Sequence, residues 1–293
     1  AWAAGFMSIP ADLLGIPVVS CGGLWARSEE QWREVRQILS VWRRICGLPD
    51  DPEGARIFPH GALVTMPMSY VVPGTHVPQS AVFIRPGLFD TSEGKHLPAW
   101  LGNTPSRPLV AMTLGSVYAW PRGSVFQLVL EALAHEPITL VLVVGKNFDP
   151  ATLGPQPANV HVEGYIPFAQ LFPLCDLVVS HGGWSTVLTA LACGVPQLVL
   201  PVEMEEDHHG NAERVVAAGA GRAIVYWEEP LTAPAIRAAA LDILSTPAYR
   251  ENAERVQREI EALPGPETAV PLIERIVAEY RAEQPTPAAV ASS

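Results

Sequence analysis

From Leu109 onward the apolar residues fall into a regular alternation. Solid apolar runs occupy Leu109 to Leu114, Ile138 to Val144, Val160 to Val162, Leu177 to Ser180, Gln197 to Leu200 and Ala223 to Tyr226. They are too short for helices and read as buried strands. Between them, Val125 to His135, Phe168 to Leu174, residues 185–193 and residues 211–218 carry apolar positions at helical spacing. Strand and helix in turn predict an α/β domain, a parallel sheet wrapped by helices. Two further helices are expected within 232–262 and one over 266–282, followed by a loose tail from Pro285 to Ser293.

Residues 1–90 are less regular and rich in Gly and Pro. Asp12 to Ser20 reads as a helix end, a glycine stop at Gly15 and a short strand. Residues 28–46 place Trp32, Val35, Ile38, Leu39, Trp42 and Ile45 at helical spacing, with Arg33, Arg36, Arg43 and Arg44 on or near the other face. This amphipathic pattern reads first as a helix packed on its domain with solvated arginines, and second as a contact for a membrane surface or a large acceptor. Residues 61–90 look extended, and 91–108, with Ser92, Gly94, Pro98, Gly102, Pro105 and Pro108, look like an interdomain linker.

The most informative string is His181-Gly182-Gly183-Trp184-Ser185-Thr186, set between an apolar strand and a helical run. A strand that ends in glycines and turns into a helix offers free backbone N–H groups and the positive end of the helix dipole. Phosphate is the usual occupant of such a turn, and the histidine and two hydroxyls add donors, so the string predicts a diphosphate grip. Ligands of parallel sheets bind beyond the carboxyl ends of the strands, where His181 stands.

The chain has 293 residues, 48% hydrophobic and 17% charged, enough for two globular domains with ample cores. Its net charge of −11 (19 basic against 30 acidic residues) and pI near 5.2 disfavour nucleic acid and strong binding to anionic lipid. Cys21, Cys46, Cys175 and Cys193 are widely spaced without a Cys-x-x-Cys pair, so reduced thiols and a cytoplasmic location are expected. No apolar run approaches the ~20 residues of a membrane span. Neither does a signal peptide show. The chain begins at Ala1 without a methionine, and the natural N-terminus is expected upstream.

Around the glycine turn lie Asn159 to Pro167, Leu171 to Asp176, Ala190-Leu191-Ala192-Cys193-Gly194-Val195-Pro196-Gln197, the stretch to Pro201, Asn211-Ala212-Glu213-Arg214 and Gly219-Ala220-Gly221. This ordered set, over about residues 108–225, resembles the donor-binding half of the family 1 nucleotide-sugar glycosyltransferases, which include bacterial enzymes of natural-product glycosylation. The resemblance implies the GT-B fold: two facing Rossmann-like domains, the donor in the C-terminal one. On that reading, residues 1–90 are the later part of the acceptor domain, 91–108 the linker, 109–262 the donor domain, and 263–293 a crossover helix and tail returning to the N-terminal domain.

The resemblance also implies roles. His181, the backbone of Gly182 and Gly183, Ser185, Thr186 and the turn Gly115-Ser116 would hold the diphosphate. Tyr165 would stack on the base, and Thr189 stands where plant members carry a ribose-binding glutamate, which suits a donor without a 2′-hydroxyl. An acidic residue and a glutamine normally bind the donor sugar. Counting forward from Pro201 gives Glu205-Glu206 for this pair, while counting back from Asn211 gives Asp207-His208. Asp207-His208 is preferred because a helix expected to start near Asn211 should set the register. Neither choice supplies the glutamine. His208-His209 among carboxylates suggests a metal only weakly, because adjacent histidines do not readily face one ion. No cofactor or metal is expected beyond the nucleotide-sugar co-substrate.

The implied chemistry is inverting, metal-independent transfer of a sugar from a UDP or dTDP donor to a hydroxyl of a lipophilic small molecule. The family's catalytic base is a histidine early in the N-terminal domain. Leu14-Gly15-Ile16-Pro17 resembles a late strand of that domain, so ~100 residues, judged from ordinary domain sizes, are expected to precede Ala1. His60, His76 and His96 lie past the base position and are not assigned to it. Two other readings stay open: a non-catalytic donor-binding subunit that needs a partner chain, and a nucleotide-sugar epimerase. A homodimer is equally open. A dehydrogenase is set aside, since no Gly-x-Gly-x-x-Gly follows a strand.

Overall fold

The computed structural model describes residues 2–22, 29–57, 60–71, 73–75, 77–87, 97–103, 107–115, 122–201, 206–226, 228 and 230–283. Ser116, His76, His96, Glu203, Glu205, half of the expected linker and the tail lie outside the described residues. The chain divides into two compact units, 1–86 with 262–293, and 87–261.

In the first unit, α1 (Trp2–Leu14), β1 (Ser20–Gly22), α2 (Glu29–Ile45), β2 (Ala62–Val64) and β3 (Ala81–Phe83) follow one another. The three strands form a parallel sheet in the order β1-β2-β3. Gly15 ends α1 at φ +60°, with Ile16 N–H on Ala11 O at 2.9 Å and Gly15 N–H on Asp12 O at 3.3 Å. This is the Schellman closure that a left-handed glycine permits, so the expected stop is real. The short strand expected after the glycine stop, by Ser20, runs instead over Ser20–Gly22. Trp32, Val35 and Leu39 of α2 pack with Ile9 of α1 and Ile57. The periodicity of α2 is therefore mainly a packing pattern, although Val41, Trp42 and Ile45 stay exposed.

Arg43 is part of that packing. Only 2% exposed, it ties Asp12 at 2.7 Å through Nη2 and donates through Nε to Pro49 O at 2.8 Å. Burial by itself raises the Asp12 carboxyl, but hydrogen bonding and charge from Arg43, together with Arg56, outweigh it and hold the group below the usual carboxylate range.

The second unit contains β4 (Leu109–Thr113), α3 (Arg122–Leu133), β5 (Thr139–Val143), β6 (Val160–Glu163), α4 (Phe168–Leu171), β7 (Leu177–Ser180), α5 (Trp184–Ala192), β8 (Gln197–Val199), α6 (Glu206–Ala217), β9 (Gly221–Ala223), α7 (Ala233–Ser245) and α8 (Pro247–Glu261). Its six strands are all parallel in the order β6-β5-β4-β7-β8-β9. The α/β class expected from the alternation is the class observed. The larger departures from the expected boundaries are three: α3 runs Arg122–Leu133, not Val125 to His135, α6 begins at Glu206, not near Asn211, and the last strand is 221–223, not 223–226.

The solid apolar runs have a simple cause. Val110, Met112, Leu140, Leu142, Leu177 and Val179 face one core with Phe126 and Val129 of α3 and Ile236 and Ala240 of α7. Ala111, Val141, Val143 and Val178, in the alternate positions, face a second core with Ile166, Leu171, Phe172 and Ala190. A strand covered on both faces has no polar side to show. Each fully buried aliphatic contributes about 1.5–3 kcal/mol. An exposed pair such as Arg222–Asp242, with both side chains over 40% exposed, contributes about 0–1 kcal/mol. The two cores, not surface ion pairs, therefore hold the sheet. Finally α9 (Ala269–Glu283) brings Ala269 and Leu272 against Leu63 and Ile84 in the first unit.

Replacing Asp12 with Ala is expected to cost about 3 kcal/mol at neutral pH, because it strips a counter-ion from a buried guanidinium. The depressed carboxyl contributes stability above its unfolded pKa and loses it as pH falls through the folded value. Urea unfolding of both proteins at pH 7 and pH 3 should therefore show the deficit shrinking on acidification.

Candidate functional site

The order β5-β4-β7 makes the gap between β4 and β7 the point where the chain reverses its direction of winding. Connections leave a crevice at such a switch point, beyond the strand ends. Thr113 pairs with Ser180 at the carboxyl ends of these strands, so the turns after them, at Gly115 and His181, lie side by side.

His181 is 7% exposed. A Cβ built on Gly115 would lie 2.9 Å from its Cε1, and one built on Gly183 would lie 2.6 Å from its Nε2. The imidazole thus fills space that a side chain at either position would need. Gly115 also sits at φ +66°, with its N–H on Thr113 Oγ1 at 3.2 Å. Gly182 has a third reason. At φ +96°, its missing Cβ makes room for Val199 Cγ1 and the His208 carbonyl oxygen, each 2.9 Å from where that Cβ would be. The glycines expected to admit a phosphate are thus first required by the protein's own packing.

The turn shares out its backbone groups unevenly. Gly182 N–H, expected to be free, instead donates to the buried Ser180 Oγ at 3.3 Å. Gly182 O accepts from Asn211 Nδ2 at 2.8 Å. Gly183 caps α5 with no side-chain hydrogen bond to the helix. The N–H groups of Gly183, Trp184, Ser185 and Thr186 are the ones an α-helix cannot satisfy internally. Ser185 is exposed, whereas Thr186 is buried at 6%. Thr189 returns its hydroxyl to Ser185 O at 2.7 Å.

Asp207 and His208 lie in the first turn of α6, and both are half-buried. The helix expected to begin near Asn211 and to fix their register begins instead at Glu206. His208 nevertheless comes to the glycine turn: its ring meets His181 edge-on, 4.6 Å between centroids and 82° between planes. His209 points elsewhere, with Nε2 3.4 Å from Glu228 and Nδ1 3.9 Å from Glu213. The adjacent histidines diverge, and among the described residues no three His, Cys, Asp or Glu side chains converge as a metal would need.

Tyr165 follows β6 and is 37% exposed, with Lys146 Nζ 5.3 Å from its ring centroid. Lys146 escaped the sequence reading because it belongs to no motif. So did Asn211 and Arg214 as a pair, although their spacing of three on a helix signals side chains that can meet. Gly194, inside the quoted Cys-Gly-Val-Pro-Gln string, is the left-handed stop of α5 at φ +67°. Gln197 of the same string donates to Val187 O at 3.2 Å and is fully buried. That part of the string is therefore structural. His60 accepts the Val18 N–H on Nδ1 at 3.1 Å. Cys193 is half-buried, and burial pushes its thiol up to about 11.

This sheet, with its histidine-glycine turn at the switch point, has the architecture of the GT-B glycosyltransferases. The chain belongs to the family described as Erythromycin biosynthesis protein CIII-like, C-terminal domain, whose pattern matches residues 127–277, just over half of its length. It is 36% identical over 251 residues to 4'-demethylrebeccamycin synthase of Lentzea aerocolonigenes, across 84% of this chain and 58% of that protein. The crystal structure of CalG4, the calicheamicin glycosyltransferase, superposes with a TM-score of 0.72 at 26% identity, covering 92% of this chain and 70% of that one. The glycosyltransferase VinC, solved in complex with dTDP, gives a TM-score of 0.66 at 26% identity over 92% of this chain and 69% of that one. The chain spans about two fifths to three fifths of the length of the curated relatives it matches. No helix among the described residues is long and apolar enough to cross a membrane.

Gly183→Ala should cost about 1–3 kcal/mol by driving a methyl into the imidazole. Gly164→Ala, where a Cβ meets nothing within 4 Å, serves as its control and should fall within about 1 kcal/mol of wild type. Equilibrium urea unfolding compares the two.

Proposed function

We propose that the second unit binds the donor of a glycosyl transfer, and that the protein to which this chain belongs moves a sugar from a nucleoside diphosphate to a hydroxyl of a lipophilic small molecule. The observation that carries the reading is the imidazole of His181, clamped between Gly115 and Gly183 beside the open N–H groups of α5 at the switch point of the sheet.

In this reaction the acceptor oxygen attacks the anomeric carbon from the face opposite the diphosphate. The bond from that carbon to the phosphate oxygen breaks, the configuration inverts, and a base takes the acceptor proton. Negative charge grows on the departing diphosphate. Donors fixed before the reaction stabilise that charge without reorganising. The α5 N–H groups, His181 and the exposed Ser185 hydroxyl supply them, with the helix dipole adding to the field. The site needs no metal for this step. Tyr165 takes the nucleobase. Its strand is three places from β7, about 14 Å at the usual strand spacing, so a nucleoside diphosphate lies across the strand ends. Asp207, at the head of α6, takes sugar hydroxyls, with His208 beside it.

A thymidine donor is favoured. Thr189 commits its hydroxyl to its own helix and offers no carboxylate to a ribose 2′-hydroxyl. The fold neighbour VinC was crystallised with dTDP.

Calorimetric titration with thymidine and uridine diphosphates tests the reading directly. His181→Ala should weaken diphosphate binding by about 1.5–3 kcal/mol, the worth of a hydrogen bond to a charged group. Unchanged affinity would remove His181 from the site. Asp207→Ala should weaken nucleotide-sugar binding and leave the free nucleoside diphosphate unaffected; equal losses for both ligands would reject its role.

A further inference from the structure

The Gly182-Gly183 peptide is the softest piece of backbone in the turn, since neither residue has a side chain to restrict it. Its orientation matters more than that of its neighbours. A trans peptide is planar, so the carbonyl of Gly182 and the N–H of Gly183 point in opposite directions. Whatever holds that carbonyl also aims that N–H.

Two side chains of α6 hold it. Asn211, fully buried, donates from Nδ2 to Gly182 O at 2.8 Å. Arg214, 4% exposed, donates from Nη1 to Asn211 Oδ1 at 2.9 Å. An arginine can only donate, so it fixes which end of the Asn211 amide is oxygen and leaves the NH₂ facing the carbonyl. The guanidinium also lies over the ring of Trp184, the first residue of α5, 6.0 Å from its centroid. The preceding peptide is locked separately, through Gly182 N–H on Ser180 Oγ. One peptide is thus pinned by the end of β7 and the next by α6.

We infer that Asn211 and Arg214 are positioning residues of the diphosphate site: they turn the Gly182-Gly183 peptide so that the Gly183 N–H faces the bound diphosphate. This rests on the donor-site reading above. Neither residue touches the ligand. With Asn211 removed, the peptide rotates among several orientations, and the diphosphate loses a donor that was fixed in advance.

The test compares a ligand that has the diphosphate with one that lacks it. Wild type, Asn211→Ala, Arg214→Met and Arg214→Lys are titrated with thymidine or uridine diphosphate, whichever wild type binds more tightly, and by competition with the corresponding nucleoside. Asn211→Ala should weaken the nucleoside diphosphate about tenfold and leave the nucleoside within twofold. Arg214→Met should show the same split at about fivefold, and Arg214→Lys should restore part of it. Equal losses for both ligands would reduce the pair to structural support and overturn the inference, as would an unchanged diphosphate affinity. If Asn211→Ala does not fold, the Arg214 variants decide by the same ratio. A wild type that binds neither diphosphate would instead defeat the donor-site reading itself, and this inference with it.

Discussion

One close contact organises the second unit: the His181 imidazole wedged against Gly115 on one side and Gly183 on the other. It joins the turns that follow β4 and β7, strands adjacent in the sheet but more than sixty residues apart in sequence. A side chain at either glycine would push the ring out and open the crevice. The ring in turn meets His208, and the α6 backbone at His208 fills the space a Cβ on Gly182 would take. The ends of two strands and the starts of two helices thus meet at one histidine. Such packing tolerates little change, since close-packed interiors feel a single methylene. The glycine turn is therefore built by internal contact first, and the direction of its backbone N–H groups follows from that.

Much of this was legible in the chain. A six-stranded parallel sheet buried on both faces leaves solid apolar runs, and those runs marked the strands within a few residues. The helix stop at Gly15 was legible because a left-handed closure favours glycine. The position of the glycine turn after β7 was legible as well, for motif and apolar pattern coincide there.

The remainder was hidden for physical reasons. The start of α6 was placed five residues late because polar first turns look like loops; Asp207, His208 and His209 carry no apolar signal, yet carboxylates suit a helix N-terminus. The use of Gly182 N–H by Ser180 could not be foreseen, because a serine ending a strand has many partners open to it. Asn211 and Arg214 stood in plain view, but their function as a pair depends on a carbonyl 29 residues away in sequence. Lys146 beside Tyr165 is a contact between two loops, which no periodicity encodes.

The composition of the first unit has a consequence for synthesis. Its sheet, α1 and α2 come from residues 1–86, but Leu63 and Ile84 are covered by Ala269 and Leu272 of α9, which follows the whole second unit in sequence. The second unit is one continuous stretch, 87–261. As the polypeptide leaves the ribosome, residues 1–86 cannot complete this core until 87–261 and the start of α9 have been made, whereas 87–261 can close at once. The order of birth and the order of completion are reversed. During that interval the apolar surface awaiting α9 stands open to solvent, the condition in which nascent chains are most prone to associate.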